Sequence, residues 1–130
     1  MSASADFLHY ATKTIVFADV VESVRLMQRD EVGAATRIRG LLLEAANETI
    51  PAHRGQLLQR LGDGLMIAFA QPRDAADCAR ALHRRAAARS EGIDADDRVL
   101  LRIGMHVADL LTDDVAFYGH GVNVASRLAA

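Results

Sequence analysis

Two aspartates each stand next to a run of apolar residues, where a charged side chain costs free energy unless a partner compensates it. Asp19 interrupts the stretch KTIVFADVV at Lys13–Val21, and Asp63 stands in Gly62-Asp63-Gly64 between two further apolar runs. Two carboxylates at one site repel each other unless a cation lies between them. Carboxylate oxygens are the hard ligands that, with a nucleoside triphosphate, hold Mg²⁺. The pair is therefore a candidate divalent-metal site, provided that the fold brings the two residues together.

An alternative interpretation gives both aspartates local backbone roles. An Asp-Gly pair between strand-like segments is typical of a hairpin turn, so Asp63 has a role without any metal. Asp19 would then cap the helix that follows it. On spacing alone, this interpretation is favoured for Asp63.

The segment after Asp19 is a candidate phosphate contact. Val20, Val21, Glu22 and Ser23 lead from a predicted strand to the start of a predicted helix. Free backbone amides and the helix dipole at such a start attract phosphate groups, which makes these residues candidate substrate contacts. The charge of Glu22 opposes a phosphate, and this residue equally fits an acidic first-turn position that complements the helix dipole.

A third candidate lies toward the end of the chain. Asn123 and Arg127 are four residues apart, so a helix there places both on one face. An amide and a guanidinium on one face suit a ribose and a triphosphate, because arginine stabilises charge that develops on phosphoryl oxygens. The alternative is an exposed polar helix face.

The elements that must position these residues alternate between strand and helix patterns. An amphipathic pattern predicts one long helix from Ser23 to about Thr49, capped by Ser23 and bent near Gly33 or Gly40. Pro72 begins a second helix. The predicted strands are Lys13–Val21, Gln56–Leu61, Leu65–Ala70, Val99–Leu111 and Val115–Tyr118, the second and third forming a hairpin. The order βαββαβ predicts an α+β fold with a ferredoxin-like sheet and helices packed on one face.

Composition limits the class of protein. The 130 residues carry 15 Lys+Arg against 17 Asp+Glu, a formal net charge of −2. The chain therefore lacks the basic surplus that would indicate a nucleic-acid partner. A single cysteine, Cys78, excludes a disulfide framework and fits a small buried residue. No stretch of the sequence has enough consecutive apolar residues to span a membrane, which predicts a cytoplasmic location and no direct membrane contact. The basic cluster is interpreted as a solvated helix face and comprises Arg80, Arg84, Arg85 and Arg89.

Several motifs together resemble the catalytic domain of class III nucleotide cyclases, the adenylate and guanylate cyclase family. The matching stretches are Val16–Val21, Leu61–Met66, Leu101–His106 and Gly119–Arg127. Their order and spacing agree over about Lys13–Leu128, and the combination is specific although each motif alone is weak. Asp63 lacks the Gly-Gly-Asp-Glu-Phe setting of the related diguanylate cyclases, so that family is disfavoured.

The resemblance implies an enzyme that converts a nucleoside triphosphate into its 3′,5′-cyclic monophosphate and pyrophosphate. By similarity, Asp19, Asp63 and the backbone of Val20 hold two Mg²⁺ or Mn²⁺ ions in two-metal chemistry. Asn123 would orient the ribose, and Arg127 would stabilise the transition state across the interface of a head-to-tail homodimer. Arg102 is similar to a phosphate-side arginine of the family.

Two positions depart from the family pattern where the base is read. Gln59 replaces an adenine-reading lysine and can still hydrogen-bond a purine edge, whereas Ala116, in place of its acidic or threonine partner, cannot. The predicted substrate is ATP, with GTP open, because adenylate cyclases are the commoner bacterial members. The alternative function is a non-catalytic cyclase-like module that binds nucleotide or dimerises to regulate an attached domain.

The chain is expected to be a piece of a longer domain. Residues 1–12 are interpreted as a lead-in and residues 13–130 as part of a cyclase catalytic domain. The sequence ends at Ala130 without a C-terminal glycine or a following strand, whereas the family's catalytic domains continue through further strands and helices. The expected fold is therefore a nucleotide cyclase domain whose C-terminal part is missing.

Overall fold

The computed structural model describes residues 7–113 and the short strand at residues 117 and 118. Its strands are β1 (His9–Val20), β2 (Gln56–Leu61), β3 (Gly64–Phe69), β4 (Leu101–Thr112) and β5 (Phe117–Tyr118). Its helices are α1 (Ser23–Arg29), α2 (Glu31–Glu44), α3 (Ile50–Ala52) and α4 (Pro72–Arg89). A π-helical turn, Ala45–Thr49, links α2 to α3, and a 3₁₀ turn, Ala95–Asp97, precedes β4. This order confirms the predicted α+β, ferredoxin-like βαββαβ arrangement.

The strands form one antiparallel sheet in the order β2-β3-β1-β4-β5, with β1 at its centre. Successive side chains of β1 point to opposite faces. Val16 and Ala18 are buried in the larger core beneath the helices, whereas Ile15 and Phe17 are buried on the other face with Met66 of β3. Burial on both faces explains why the central strand reads as a continuous apolar run.

Strand β1 begins four residues before the predicted start at Lys13. Its first residues, His9 and Tyr10, pair with Thr112 and Leu111 at the far end of β4. This pairing partner lies about one hundred residues away in sequence, so a local apolar pattern does not reveal where β1 begins.

The prediction of one long helix from Ser23 is wrong, because the chain breaks at Asp30. Asp30 has an extended backbone, and its Oδ1 accepts a hydrogen bond of 3.0 Å from the backbone N–H of Gly33. An aspartate in this geometry is a helix N-cap, so it starts α2 and ends α1. The break lies three residues before Gly33, one of the two predicted bend positions, and Gly33 itself takes part in the cap.

Ser23 does not cap α1, contrary to the prediction. The capping position is held by Glu22, whose backbone is left-handed (φ 52°, ψ 44°) and whose side chain makes no capping hydrogen bond. A left-handed residue turns the chain sharply between β1 and α1. Ser23 is thereby the first residue of α1 itself.

Two arginines of α1 anchor that helix to the loop before β4. Arg29 Nε donates to Asp97 Oδ1 at 3.0 Å, and Arg25 Nη1 donates to the carbonyl of Asp96 at 3.1 Å. The charge and hydrogen bond of Arg29 hold the pKa of Asp97 below its usual range. The short helix is thus tied to the chain segment that enters β4.

The hairpin and the second long helix agree closely with the predicted bounds. α4 begins at Pro72, and its buried side includes Ala75, Cys78 and Leu82. Burial raises the pKa of the Cys78 thiol to about 11, as expected for a cysteine with a packing role. No helix among the described residues has the length and apolar character needed to cross a bilayer.

The basic face of α4 is only partly the solvated surface that was predicted. Arg84 is exposed, and Arg80 pairs with Asp77 of its own helix. Arg85 and Arg89 instead bind the two carboxylate oxygens of Glu44 on α2, at 2.6 Å and 2.8 Å. These two arginines therefore join α4 to α2.

Candidate active site

The antiparallel register of β1 and β3 brings Asp19 and Asp63 together. Asp19 pairs directly with Gly64, the residue that follows Asp63 at the start of β3. Gly62 takes a left-handed conformation (φ 59°) that turns the hairpin. The two aspartates are 44 positions apart in sequence, yet they meet at one end of the sheet.

Gly64 allows the hairpin to approach β1 this closely. A Cβ atom at Gly64 would lie 3.1 Å from the carbonyl oxygen of Ala18 and 3.4 Å from Oδ1 of Asp19. Any side chain there would press on the backbone of β1 and on the Asp19 carboxylate. The glycine after Asp63 thus serves the proximity of the two acids as well as the turn.

The electrostatic environment of Asp19 is that of a crowded carboxylate. Burial is the largest cause that raises the pKa of Asp19, and the hydrogen bond and negative charge of Asp63 raise this pKa further. The backbone N–H of Val20 and the positive charge of Arg102 act in the opposite direction. A group whose charged form is disfavoured by a second acid gains stability when a cation neutralises both.

Arg102 and Gln59 lie on the same sheet face as Asp19. Arg102 is the register partner of Asp19 on β4, and it is exposed. Gln59 of β2 pairs with Met66, which pairs in turn with Phe17, two residues before Asp19. Paired residues of neighbouring strands share a face, so the predicted base contact and phosphate contact flank the two acids.

The turn between β1 and α1 differs from the predicted cluster of free amides. The N–H of Val21 donates to the carbonyl of Leu100 at 2.9 Å, so it is not available to a phosphate. Val20 is buried, and the exposed side chain of Glu22 lies 3.4 Å from Nε of Arg25. Of this segment, Ser23 faces the neighbouring cavity.

An open cavity of about 730 Å³ lies between α1 and the hairpin turn. Pockets of this size accommodate cofactors and substrates. Its walls are formed by Ser23, Val24, Met27, Gln28, Glu31, Gly62 and Asp63. The sequence pattern indicated Ser23 and Asp63 but missed Met27 and Glu31. The interval from Ser23 to Met27 was a usable signal, because residues four apart on α1 share one helix face, whereas Glu31 is the first residue of α2.

The donor set fits a hard divalent cation. Mg²⁺ is usually held by one or two carboxylates, with water and substrate phosphates completing its octahedral shell. Asp19 and Asp63 supply two carboxylates, and no cluster of three or more His, Cys, Asp or Glu that could hold a metal occurs within the described part of the chain. The site therefore suits a cation that arrives with a phosphate ligand.

The remaining predicted site residues, Ala116, Asn123 and Arg127, lie outside the described residues.

Comparisons with known proteins agree with this fold. The chain is 34% identical over 116 residues to "Putative adenylate cyclase 3" of Rhizobium meliloti, a match that covers 89% of the chain and 20% of that protein. This chain also matches mycobacterial proteins that carry no functional name, and it covers 38% of their length. No protein-family model matches. The chain thus spans well under half the length of these relatives.

Solved structures share the fold. The adenylate/guanylate cyclase/hydrolase from Silicibacter pomeroyi superposes with a TM-score of 0.81 at 28% identity, covering 95% of this chain and 72% of the other. A guanylyl cyclase domain from Blastocladiella emersonii shares the fold at 16% identity, with a TM-score of 0.73 and 92% and 75% coverage. The resemblance predicted from the sequence is confirmed: the chain has the fold of the class III nucleotide cyclase catalytic domain and is related to it in sequence.

Proposed function

We propose that this domain is a class III purine-nucleotide cyclase that converts ATP into 3′,5′-cyclic AMP and pyrophosphate. The observation that supports this most directly is the meeting of Asp19 and Asp63 at one end of the sheet, with Arg102 opposite Asp19. ATP is preferred to GTP because the relative from Rhizobium meliloti is named "Putative adenylate cyclase 3". We place the reaction in the cytoplasm as part of intracellular signalling.

In this reaction the 3′-oxygen of the ribose attacks the α-phosphorus of the same nucleotide. The bond between the α-phosphorus and the bridging oxygen breaks, pyrophosphate leaves with the electron pair, and the 3′-hydroxyl proton is released. Charge therefore develops on phosphoryl oxygens and on the attacking oxygen. Cationic groups placed at these positions lower the barrier.

Asp19 and Asp63 would hold two Mg²⁺ or Mn²⁺ ions, with the backbone of Val20 as a further ligand. When bound, such ions lower the pKa of a hydroxyl and neutralise triphosphate charge. The role of the protein would be to hold two carboxylates at a fixed distance from the triphosphate. The pairing of β1 with β3, which brings Asp19 and Asp63 together, supports this role. Arg102 would contact a phosphate, and Gln59 would contact the base.

We further propose that the complete site forms in a head-to-tail homodimer. Asn123 and Arg127 of one protomer would contact the ribose and the phosphates held by the aspartates of the other. A two-fold symmetric pair of chains completes two equivalent sites. Ser23 and the α1 wall of the open cavity would then face the substrate.

The test is cyclic-nucleotide production by the purified chain with Mn²⁺ and either ATP or GTP. Asp63→Asn and Asp19→Asn are each expected to reduce the rate by about 100-fold or more, since even outer-shell partners of a metal cost about 10–100-fold. The matched control is Asp94→Asn, an exposed carboxylate on the loop before β4. It is expected to retain the wild-type rate.

The outcomes separate the two functions considered. A product that disappears only in the Asp19 and Asp63 variants supports the cyclase and identifies the base. Metal-dependent nucleotide binding without any product, in a chain shown to be dimeric, would refute the cyclase in favour of a regulatory module.

A further inference from the structure

A second, smaller cavity lies on the helix side of the sheet, between α2, α4 and the loop that enters β4. Its volume is about 80 Å³. Three arginines and a serine provide its polar lining: Arg37, Arg89, Arg98 and Ser90. Leu41 and Val99, both buried, belong to its apolar walls. No carboxylate lines this cavity among the described residues, so its lining is strongly cationic.

Arg37 is a half-buried arginine in the lining of this cavity. Its Nε atom is buried and has no hydrogen-bond partner among the described residues. Its Nη1 lies 3.2 Å from the position a Cβ would take at Gly33, a position also approached by the carboxylate of Asp30. A buried donor without an acceptor costs free energy, so any ligand contact of Arg37 is left to its terminal nitrogens.

The nearest carboxylates do not neutralise the arginines fully. Glu44 of α2 pairs with Arg89, at 2.6 Å, and also with Arg85, and both arginines lie on α4. Asp97 pairs with Arg29 and also interacts electrostatically with Arg37, without a hydrogen bond to it. Arg98 uses its Nε to donate to the carbonyl of Ile93 at 2.9 Å, which is a neutral acceptor. Each guanidinium has five N–H donors, so several remain for a ligand.

We propose that this cavity binds one small tetrahedral oxyanion, of which inorganic phosphate and sulfate are examples. Guanidinium groups match the oxygens of such ions in geometry and charge. The volume excludes a nucleotide, because sites for cofactor-sized ligands measure about 300–1,000 Å³.

This site is separate from the proposed cyclase site. Leu41 and Val99 belong to the core beneath the helices, whereas Asp19 lies on the opposite face of the sheet with Phe17. The oxyanion site therefore does not depend on the proposed function, and each can fail without the other.

Isothermal titration calorimetry with inorganic phosphate tests the site on the full 130-residue chain. EDTA is present throughout, so that no divalent cation can hold phosphate at Asp19 and Asp63, and chloride keeps the ionic strength constant. We expect saturable binding of one phosphate per chain. Arg37→Gln and Arg98→Gln are each expected to weaken it by about tenfold or more, as the loss of a charge-assisted hydrogen bond predicts.

Two further variants separate specific contacts from general charge. Arg39→Gln removes an exposed arginine of the same helix that does not line the cavity, and it should leave the affinity unchanged. Arg37→Lys keeps the charge but lacks the planar guanidinium fork, so it should bind more weakly than the wild type. Cooperative thermal unfolding of each variant confirms that it is folded.

Four results would overturn the proposal. The first is the absence of saturable binding, and the second is equal weakening by Arg39→Gln. The third is loss of phosphate binding in Asp63→Asn, which would place the ion at the two aspartates and leave the cyclase proposal intact. Tighter binding of pyrophosphate than of phosphate would contradict a site for a single ion.

Discussion

Glu44 is expected to be the main ionic link between α2 and α4. Its Oε1 accepts from Arg85 at 2.6 Å, and its Oε2 accepts from Arg89 at 2.6 Å and 2.8 Å. Only 17% of its side chain is exposed, against 43% for each arginine. Glu44→Gln keeps the size of the side chain and removes the charge, so it isolates the ionic part of the link.

The expected loss of stability is about 1.5 kcal/mol. Hydrogen bonds to charged groups contribute about 1.5–3 kcal/mol each, whereas exposed ion pairs contribute about 0–1 kcal/mol. The half-exposed arginines place this link between those limits. For a domain of this length, 1.5 kcal/mol lowers the melting temperature by about 6 °C.

The pH dependence has a definite sign. The hydrogen bond from Arg85, assisted by Arg89, holds the pKa of Glu44 below its ordinary value of 4.5. Its contribution is therefore fully present above that value and is lost as the pH falls through the lower, folded-state pKa. The wild type and Glu44→Gln should differ at pH 7 and converge in strong acid.

Urea unfolding of the wild type, Glu44→Gln and Glu48→Gln at several pH values is the assay. Glu48 is the matched control, because among the described residues it pairs only with Arg85, at 3.4 Å, and 64% of its side chain is exposed. Its substitution should change the free energy of unfolding by less than about 0.5 kcal/mol. Equal destabilisation by both substitutions, or a Glu44→Gln effect that persists in strong acid, would refute this reasoning.

Other predictions concern the cap, the hairpin turn and the cysteine. Asp30→Ala removes the N-cap of α2 and should cost about 1 kcal/mol in urea unfolding, with no comparable loss in Asp94→Ala. Gly62→Ala forces a Cβ into a left-handed conformation (φ 59°) and should cost about 1–2 kcal/mol, whereas Gly62→Asn should be tolerated better in the same measurement. Cys78 should react with a thiol reagent only as fast as the chain unfolds, because it is buried and its pKa is raised to about 11; rapid modification of the native protein would contradict this.

The sequence pattern predicted the strands and their order well where the apolar signal is local and strong. The hairpin and α4 have clear boundary residues in Gly62, Asp63 and Pro72, so their bounds agree closely with the structure. The break at Asp30 was missed because the apolar periodicity continues across it. The capping hydrogen bond to Gly33 outweighs that periodicity.

The candidate site was only partly predictable. Asp19 and Asp63 stood out because a carboxylate beside apolar residues is unusual, and the resemblance indicated their pairing. The hydrogen bond from the Val21 N–H to the carbonyl of Leu100 could not be predicted from the residues around Val21, because Leu100 belongs to the loop that enters β4. The roles of Ala116, Asn123 and Arg127 stay predictions.

The sequence by itself determined the class of fold, the strand order along the chain and the identity of the two acids, because these depend on local periodicity and residue type. Only the tertiary structure decided that Asp19 faces Gly64 and Arg102, that Arg85 and Arg89 bind Glu44, and that three arginines meet in one cavity. Each of these contacts joins segments far apart in the chain. Strand register and helix packing set them, and both are collective properties of the folded domain.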